Sequence, residues 1–232
     1  MPTICPVVIA SNMFNEIDQL PEWFENFKPM ADAGIVIVDS GSTDGTIDYC
    51  KSQGAVVIVD DIIRREGYGP ARNHLREMAR QHFPKAHWLV YFDADERVDE
   101  QDWHQFRYLK DYLVEAYDVI AFPRIDWEDK ARTKRYNDYR VAPDWQARMT
   151  RLDSPLVYIR KLHEQVQRFR AIYAKITNPK INHFHRSAGQ EKRDLIGKLC
   201  AKLHMEDKEF GHTMPEHPKE AMYREKYIAE GL

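Results

Sequence analysis

Asp93-Ala94-Asp95 follows the apolar run Trp88-Leu89-Val90-Tyr91-Phe92. The run reads as a buried strand of a parallel sheet. In open α/β sheets, ligands bind beyond the carboxyl ends of the strands. Two carboxylates one residue apart at such an end can share one hard divalent cation or one polyol. Mg²⁺ and Mn²⁺ favour oxygen ligands of this kind, completed by water and substrate phosphates. Asp-x-Asp alone also occurs as an ordinary acidic loop after a strand, so the weight rests on its surroundings. Two further apolar runs end in aspartate, at Asp39 and Asp60.

The elements that must position these acids are legible as alternating patterns. Val7-Val8-Ile9-Ala10 is a β-rich run that ends at Ser11 to Glu16. A helix follows with Leu20, Trp23, Phe24 and Phe27 on one face. Gly34 to Asp39 is the clearest strand, and Ser40 to Thr46 after it is rich in turn and cap residues. A second helix through Tyr49 and Cys50 leads to a strand over Ala55 to Asp60. A polar loop from Asp61 to Pro70 precedes a helix from about Ala71 to His82. Strands and helices alternating in this way predict βαβ units and a parallel sheet.

Beyond Asp95 the pattern changes. The spacing predicts a helix from Glu100 to Leu113, with Trp103, Phe106, Tyr108, Leu109 and Leu113 for packing. Strands are expected over Asp118 to Pro123, Gln146 to Leu152 and Leu156 to Val166, with a polar loop from Glu128 to Tyr139. A short strand at Ile181 to His185, a helix capped by Ser187 and running to Asp207, and a terminal helix from Glu220 to Ala229 complete the reading. The expected organisation is an α/β half over residues 1–97, a second half of the same domain over 98–186, and a helical extension over 187–232.

With 232 residues, 43% hydrophobic and 31% charged, the chain has material for one sizeable core. No run approaches the ~18–20 apolar residues of a membrane span, and Met1 to Pro6 has no signal-peptide pattern. Cys5, Cys50 and Cys200 are widely spaced. That argues against a disulfide framework and a cysteine zinc site and fits a reducing, cytoplasmic setting. A net charge of −3 hides a local excess: residues 124–180 hold 14 Lys+Arg against 7 Asp+Glu.

Val38-Asp39-Ser40-Gly41-Ser42-Thr43-Asp44-Gly45-Thr46, followed some fifty residues later by Phe92-Asp93-Ala94-Asp95-Glu96, resembles the family 2 glycosyltransferases of the GT-A fold. Asn15-Glu16 resembles the Asn-Glu of that family, and Gly69-Pro70-Ala71-Arg72-Asn73 its Gly-x-Ala-Arg-Asn segment. Asp144-Trp145-Gln146-Ala147-Arg148 and His163-Glu164 resemble members that act on bacterial lipopolysaccharide core sugars. Gln146-Ala147-Arg148-Met149 departs from the family's Gln-x-x-Arg-Trp, and no standard Glu-Asp pair for the base is present.

The resemblance implies a mostly parallel sheet flanked by helices, a smaller acceptor-side β region and a C-terminal helical tail. It implies inverting, metal-dependent transfer of a hexosyl or deoxyhexosyl group from a UDP-, GDP- or dTDP-sugar to a hydroxyl. Ala10, Asn15, Glu16, Asp39, Ser40, Gly41, Arg72, Asp93 and Ala94 would hold the nucleotide-sugar. Asp95 would bind Mn²⁺ or Mg²⁺, with His185 favoured over His183 as the added histidine. Inversion needs one general base. Glu164 is the first candidate, Asp144 the second, and Asp126 or Glu128 the next to test.

The expected acceptor is a saccharide or glycolipid. The basic excess would suit an anionic one, including a polyprenyl-linked sugar at an inner-membrane surface, or nucleic acid. Trp127, Tyr136, Tyr139 and Trp145 lie among these charges, and aromatic faces suit sugars and bases alike. The competing readings are transfer to modified nucleic acid, nucleotidyl transfer, and a non-catalytic sugar- or nucleic-acid-binding module on the same scaffold. Nucleotidyl transfer usually needs a Gly-rich phosphate loop after the first strand, and Ser11-Asn12-Met13-Phe14-Asn15 is not one.

Overall fold

Successive residues of the early strands are apolar regardless of parity, so both faces of their sheet must be covered. The computed structural model describes residues 5–113, 115–135, 144–173, 178–184 and 190–209. In chain order the elements are β1 (Val7–Met13), α1 (Leu20–Phe27), β2 (Gly34–Asp39), α2 (Thr46–Ser52), β3 (Val56–Val59), α3 (Ile62–Glu66), α4 (Tyr68–His82) and β4 (Trp88–Tyr91). Then come β5 (Glu96–Val98), α5 (Trp103–Tyr112), β6 (Val119–Asp126), β7 (Asp144–Arg151), β8 (Val157–Ile159), β9 (Gln165–Gln167), β10 (Ile172–Tyr173), β11 (Ile181–His183) and α6 (Gln190–Glu209).

One sheet runs through both halves in the order β3-β2-β1-β4-β7-β6-β11-β5, with β10 beside β6. The β3-β2-β1-β4 part is parallel. β7 then enters antiparallel between β4 and β6. β11 lies parallel to β6 and antiparallel to β5. Val7, Ile9, Ile35, Ile37 and Val90 face α1 and α5, where Trp23, Phe24, Phe27 and Phe106 close one core layer. Val8, Val36, Val38, Leu89 and Tyr91 face α3 and α4, where Ile62, Ala71, Leu75 and Ala79 close the other. Phe27 stacks on Phe92 at 3.9 Å, so the residue before Asp93 is fixed from beneath. Each large side chain buried here contributes about 1.5–3 kcal/mol.

Several expectations change. The segment expected as a polar loop up to Pro70 holds α3, because Ile62 and Ile63 are buried against the second core layer, and α4 begins at Tyr68. Gly67, at φ +96°, makes the break between the two helices. The strand expected over Leu156 to Val166 is instead a hairpin of β8 and β9, interrupted where Arg160 and His163 take φ of 70° and 53°. Tyr108, expected in the core, is exposed and stacks on Tyr112 at 4.4 Å. Glu96 to Val98 forms a strand that the sequence pattern does not announce, paired with β11. Ser187, the 136–139 end of the expected 128–139 loop and the 220–229 segment lie outside the described residues. No described helix is long and apolar enough to cross a membrane.

Candidate active site

The carboxyl ends of β1, β2 and β4 lie side by side because β1 pairs with both β2 and β4. The loops that leave β1 and β2 are stitched together. Asp39, fully buried, accepts the Gly41 and Ser42 N–H groups on Oδ1 at 2.9 and 2.7 Å and the Ser42 hydroxyl on Oδ2 at 2.7 Å. Ser42 Oγ accepts the Asn15 N–H at 2.7 Å, Asn15 Oδ1 accepts the Thr43 N–H at 2.9 Å, and Thr46 Oγ1 accepts the Glu16 N–H at 2.8 Å. Asp39 thus shapes the loop with the oxygens expected to meet a nucleotide. Ala10 is buried in the core, and its carbonyl accepts the Phe92 N–H at 3.0 Å. Ser40 Oγ and Asn12 Oδ1 are buried at these strand ends with no partner among the described residues. Buried polar atoms of this kind call for a ligand or water, and the sequence reading passed over Asn12.

The Asp93-Ala94-Asp95 turn is locked from several directions. The Glu96 N–H returns to the Asp93 carbonyl at 3.0 Å, and the Asp93 N–H donates to Glu96 Oε2 at 3.0 Å. Buried Arg97 donates to the Ala94 and Glu96 carbonyls at 2.7 and 2.6 Å and to the Gln19 carbonyl at 2.9 Å. The Phe184 N–H donates to the Asp95 carbonyl at 3.0 Å, which ties the turn to the end of β11.

β11 thereby brings His183 to the site. His183 Nδ1 donates to Asp126 Oδ1 at 2.5 Å, and Nε2 lies 3.2 Å from Asp95 Oδ2. Burial opposes a charged imidazole, but Asp95 and then Asp126 outweigh it and raise the His183 pKa to about 10. With Asp126 on Nδ1 and Asp95 beside Nε2, carboxylates orient the ring in the way that metal-bound histidines are oriented. His185 lies outside the described residues.

Arginines separate the remaining acids. Arg148, buried on β7, donates to Asp93 Oδ2 at 2.8 Å and pairs with the fully buried Glu96. Burial pushes the Asp93 carboxyl up, yet Arg148 and then Arg72 hold it well below the usual carboxylate range. Arg72, on the first turn of α4, pairs with Glu164 and lies 3.7 Å from Asp93 Oδ1, its guanidinium over the Tyr91 ring at 5.1 Å. Burial also pushes Glu164 up, and Arg72 overcomes it, leaving the carboxyl lowered. Arg124 holds Asp144 at 2.7 Å and Asp126 at 3.5 Å. Asp93, Asp95, Glu96, Asp126, Asp144 and Glu164 outnumber Arg72, Arg124, Arg148 and the charged His183 here, a small surplus of negative charge that suits a cation.

Among the described residues no three His, Cys, Asp or Glu side chains converge as a complete metal cage. Asp95 and His183 fit a Mg²⁺ or Mn²⁺ that takes its other ligands from water and substrate oxygens. The structure therefore brings Asp93, Asp95, His183, Arg72, Glu164 and Asp144 into one region, beside the loop of Asn15, Glu16, Ser40 and Gly41. Arg148, Glu96 and Asp126 complete it. Among the described residues, part of the basic excess over residues 124–180 is paired with acids outside that segment: Lys130 with Glu22, Arg132 with Asp99, Lys161 with Glu206 and Arg170 with Asp118.

A parallel β3-β2-β1-β4 sheet extended by antiparallel β7, with an acidic turn at the carboxyl end of β4, is the GT-A fold. The crystal structure of S. aureus TarS 1-349 is similar across 96% of this chain and 70% of its own, with a TM-score of 0.52 at 11% identity. The family model for glycosyl transferase family 2 matches residues 9–179, and the chain belongs to that family. It is similar to glycosyltransferase AglJ of Haloferax volcanii, 29% identical over 53% of this chain and 38% of that one. It is also similar to an uncharacterized protein of Methanocaldococcus jannaschii, 33% identical over 51% of this chain and 46% of that one. The match thus spans less than half the length of these relatives.

Proposed function

We propose that the protein is an inverting glycosyltransferase that moves a sugar from a nucleoside-diphosphate sugar to a hydroxyl of a saccharide or glycolipid, with Mn²⁺ or Mg²⁺ at Asp95 and His183. The carrying observation is the Asp126–His183–Asp95 chain, with distances of 2.5 and 3.2 Å, at the end of β4. When bound, the cation supplies Lewis-acid stabilisation of the leaving diphosphate. Asn15, Glu16, Ser40 and Gly41 line the nucleotide's side of the site, and Asp39 keeps their loop in shape. Asp93 orients the sugar or ribose, with Arg148 and Arg72 keeping it ionised. A glycolipid acceptor would have the protein work at a membrane surface.

Glu164 is the general base in this reading. Arg72 keeps it ionised at neutral pH and also weakens it as a base. When Arg72 turns towards a donor phosphate, Glu164 regains basicity as the acceptor hydroxyl arrives. Asp144, held by Arg124 at 2.7 Å and by Gln146 at 2.8 Å, is the second choice. Glu164→Gln should cut transfer to a hydroxyl acceptor by roughly 10²–10⁴-fold with donor affinity nearly unchanged. If Asp144→Asn abolishes transfer while Glu164→Gln is mild, the roles are exchanged.

The test of function is a thermal-shift and hydrolysis screen of UDP-, GDP- and dTDP-sugars with and without Mn²⁺. A ligand that binds only the native state raises Tm by linkage. Wild type should show a metal-dependent Tm rise and slow donor hydrolysis. Asp95→Ala should lose both while keeping the far-UV spectrum of the wild type. Near-normal hydrolysis by folded Asp95→Ala with Mn²⁺ would sink the assignment.

A further inference from the structure

The C-terminal helix touches the site region at both of its ends. Near the start of α6, Lys192 donates to the Asn15 carbonyl at 3.0 Å and pairs with Glu16 Oε1 at 2.5 Å. The lysine and glutamate side chains are only 18% and 17% exposed. Fifteen positions later, about 22 Å along the helix axis, Asp207 accepts the Lys161 and Leu162 N–H groups, each at 2.8 Å. Glu206 pairs with Lys161 Nζ at 2.6 Å. α6 is therefore attached at one end to the loop after β1, which carries Asn15 and Glu16. At the other end it is attached to the β8–β9 loop, which carries Glu164.

Both loops contain left-handed backbone that needs outside support: Asn15 at φ 50° in one, Arg160 and His163 at 70° and 53° in the other. Docking of α6 does not itself require Lys192. Leu203 is fully buried, Ala201 is buried, and Leu199 packs on the second core layer. Ordering a long lysine costs side-chain entropy, and helices dock on apolar faces without it. The contact falls instead on two residues at the mouth of the nucleotide side.

We propose that Lys192 is a positioning residue for the nucleotide, acting through Asn15 and Glu16, and that α6 is the strap joining this loop to the one bearing Glu164. The inference rests on the nucleotide-sugar reading above. With its hydrogen bond to a backbone carbonyl, Lys192 holds the Asn15 peptide in the left-handed turn. With its ion pair, it fixes the direction of Glu16. Loss of Lys192 frees both while the Asp207 end of α6 stays attached.

The test is calorimetric titration of the full chain with UDP, GDP and dTDP in the presence of Mn²⁺, taking the tightest as probe. Lys192→Met should weaken Kd about tenfold or more, the scale of one hydrogen bond to a charged group. Lys192→Arg, which keeps the charge and the donors, should recover most of the loss. Lys202→Met removes the same charge from an exposed site on the same helix and should leave Kd within about twofold. A double-mutant cycle of Lys192→Met with Glu16→Gln should be non-additive, since one acts through the other. Should Lys192→Met not fold, Lys192→Gln serves in the same comparison. Wild-type affinity in the folded Lys192 variant overturns the inference, as does an equal loss in Lys202→Met or an additive cycle. If wild type binds none of the three nucleotides, the nucleotide-sugar reading falls and takes this inference with it. If wild type binds and Lys192→Met binds equally, the inference alone falls.

Discussion

Glu16 is a carboxylate kept from water, and burial pushes its pKa from 4.5 to about 7 against the pull of Lys192. A raised folded-state pKa means that the native protein holds the proton more tightly than the unfolded chain does. That stability is fully present below pH 4.5 and is lost as pH rises through about 7. Metal-free wild type should therefore lose roughly 3 kcal/mol relative to Glu16→Gln between pH 4.5 and pH 8. Urea melts of both proteins in EDTA across this range measure it, and a flat or inverted difference defeats the assignment. Legibility at this scale is uneven. Asp93 and Asp95 announce themselves because an apolar strand stops on them. Arg148 and Asp126 do not, because their meaning comes from strands paired across long stretches of chain. Nothing near Arg148 in sequence says that β7 will lie beside β4 and set its guanidinium against Asp93. Lys192 is less legible still, since its partners stand more than 170 residues earlier.

At the scale of elements, the start of α4 is where the β8–β9 loop is seated. The Tyr68 and Gly69 N–H groups donate to the Lys161 and Arg160 carbonyls at 2.7 and 3.1 Å. A Cβ on Gly69 would lie 2.3 Å from the Arg160 carbonyl oxygen and 3.0 Å from that of Ile159. Both obstacles are backbone, so the β8–β9 hairpin must move to admit it. Asn73 resists that movement by exchanging two 2.8 Å hydrogen bonds with the Tyr158 main chain. Gly69→Ala should then cost about 1–3 kcal/mol, the range for overpacking, and should separate Glu164 from Arg72. Denaturant melts give the first quantity. A crystal structure of the variant with the Arg72–Glu164 pair intact and stability unchanged would refute this account. The Gly69-Pro70-Ala71-Arg72-Asn73 segment is visible in the sequence, but its reason is not: the glycine is needed by a hairpin some 90 residues away. α3 escapes the sequence reading for another reason. Ile62-Ile63 is too short a run to show a period, and only its burial beside α4 marks it.

The molecule as a whole is tied together by α4 as well as by the sheet. Strand order passes from β4 to β7 without a break, so the early βαβ half and the half beyond β4 share one hydrogen-bonded layer. The parallel half follows from local alternation, which is why it is readable from sequence; the insertion of β7 is a long-range choice that no local pattern carries. Arg76, 1% exposed, secures that junction from beneath. It donates to Thr150 Oγ1 at 2.8 Å, the Arg151 carbonyl at 2.9 Å and the Ser154 carbonyl at 3.3 Å. Arg80 adds the Leu152 carbonyl at 2.8 Å. Arg76→Leu keeps the apolar stem and strands those neutral acceptors, at a cost of about 1–3 kcal/mol for each one left buried and unsatisfied. Because the junction belongs to both halves, the loss should lower the one transition of the whole protein rather than release one half. Trp fluorescence and far-UV circular dichroism should therefore melt together in wild type and variant, with the variant's midpoint lower and m unchanged. Fluorescence reports on Trp23 and Trp88 in the first core layer and on Trp127 and Trp145 across the junction. Two separated transitions in wild type would mean that the halves fold independently, and a variant of unchanged midpoint would mean that Arg76 does not hold them together.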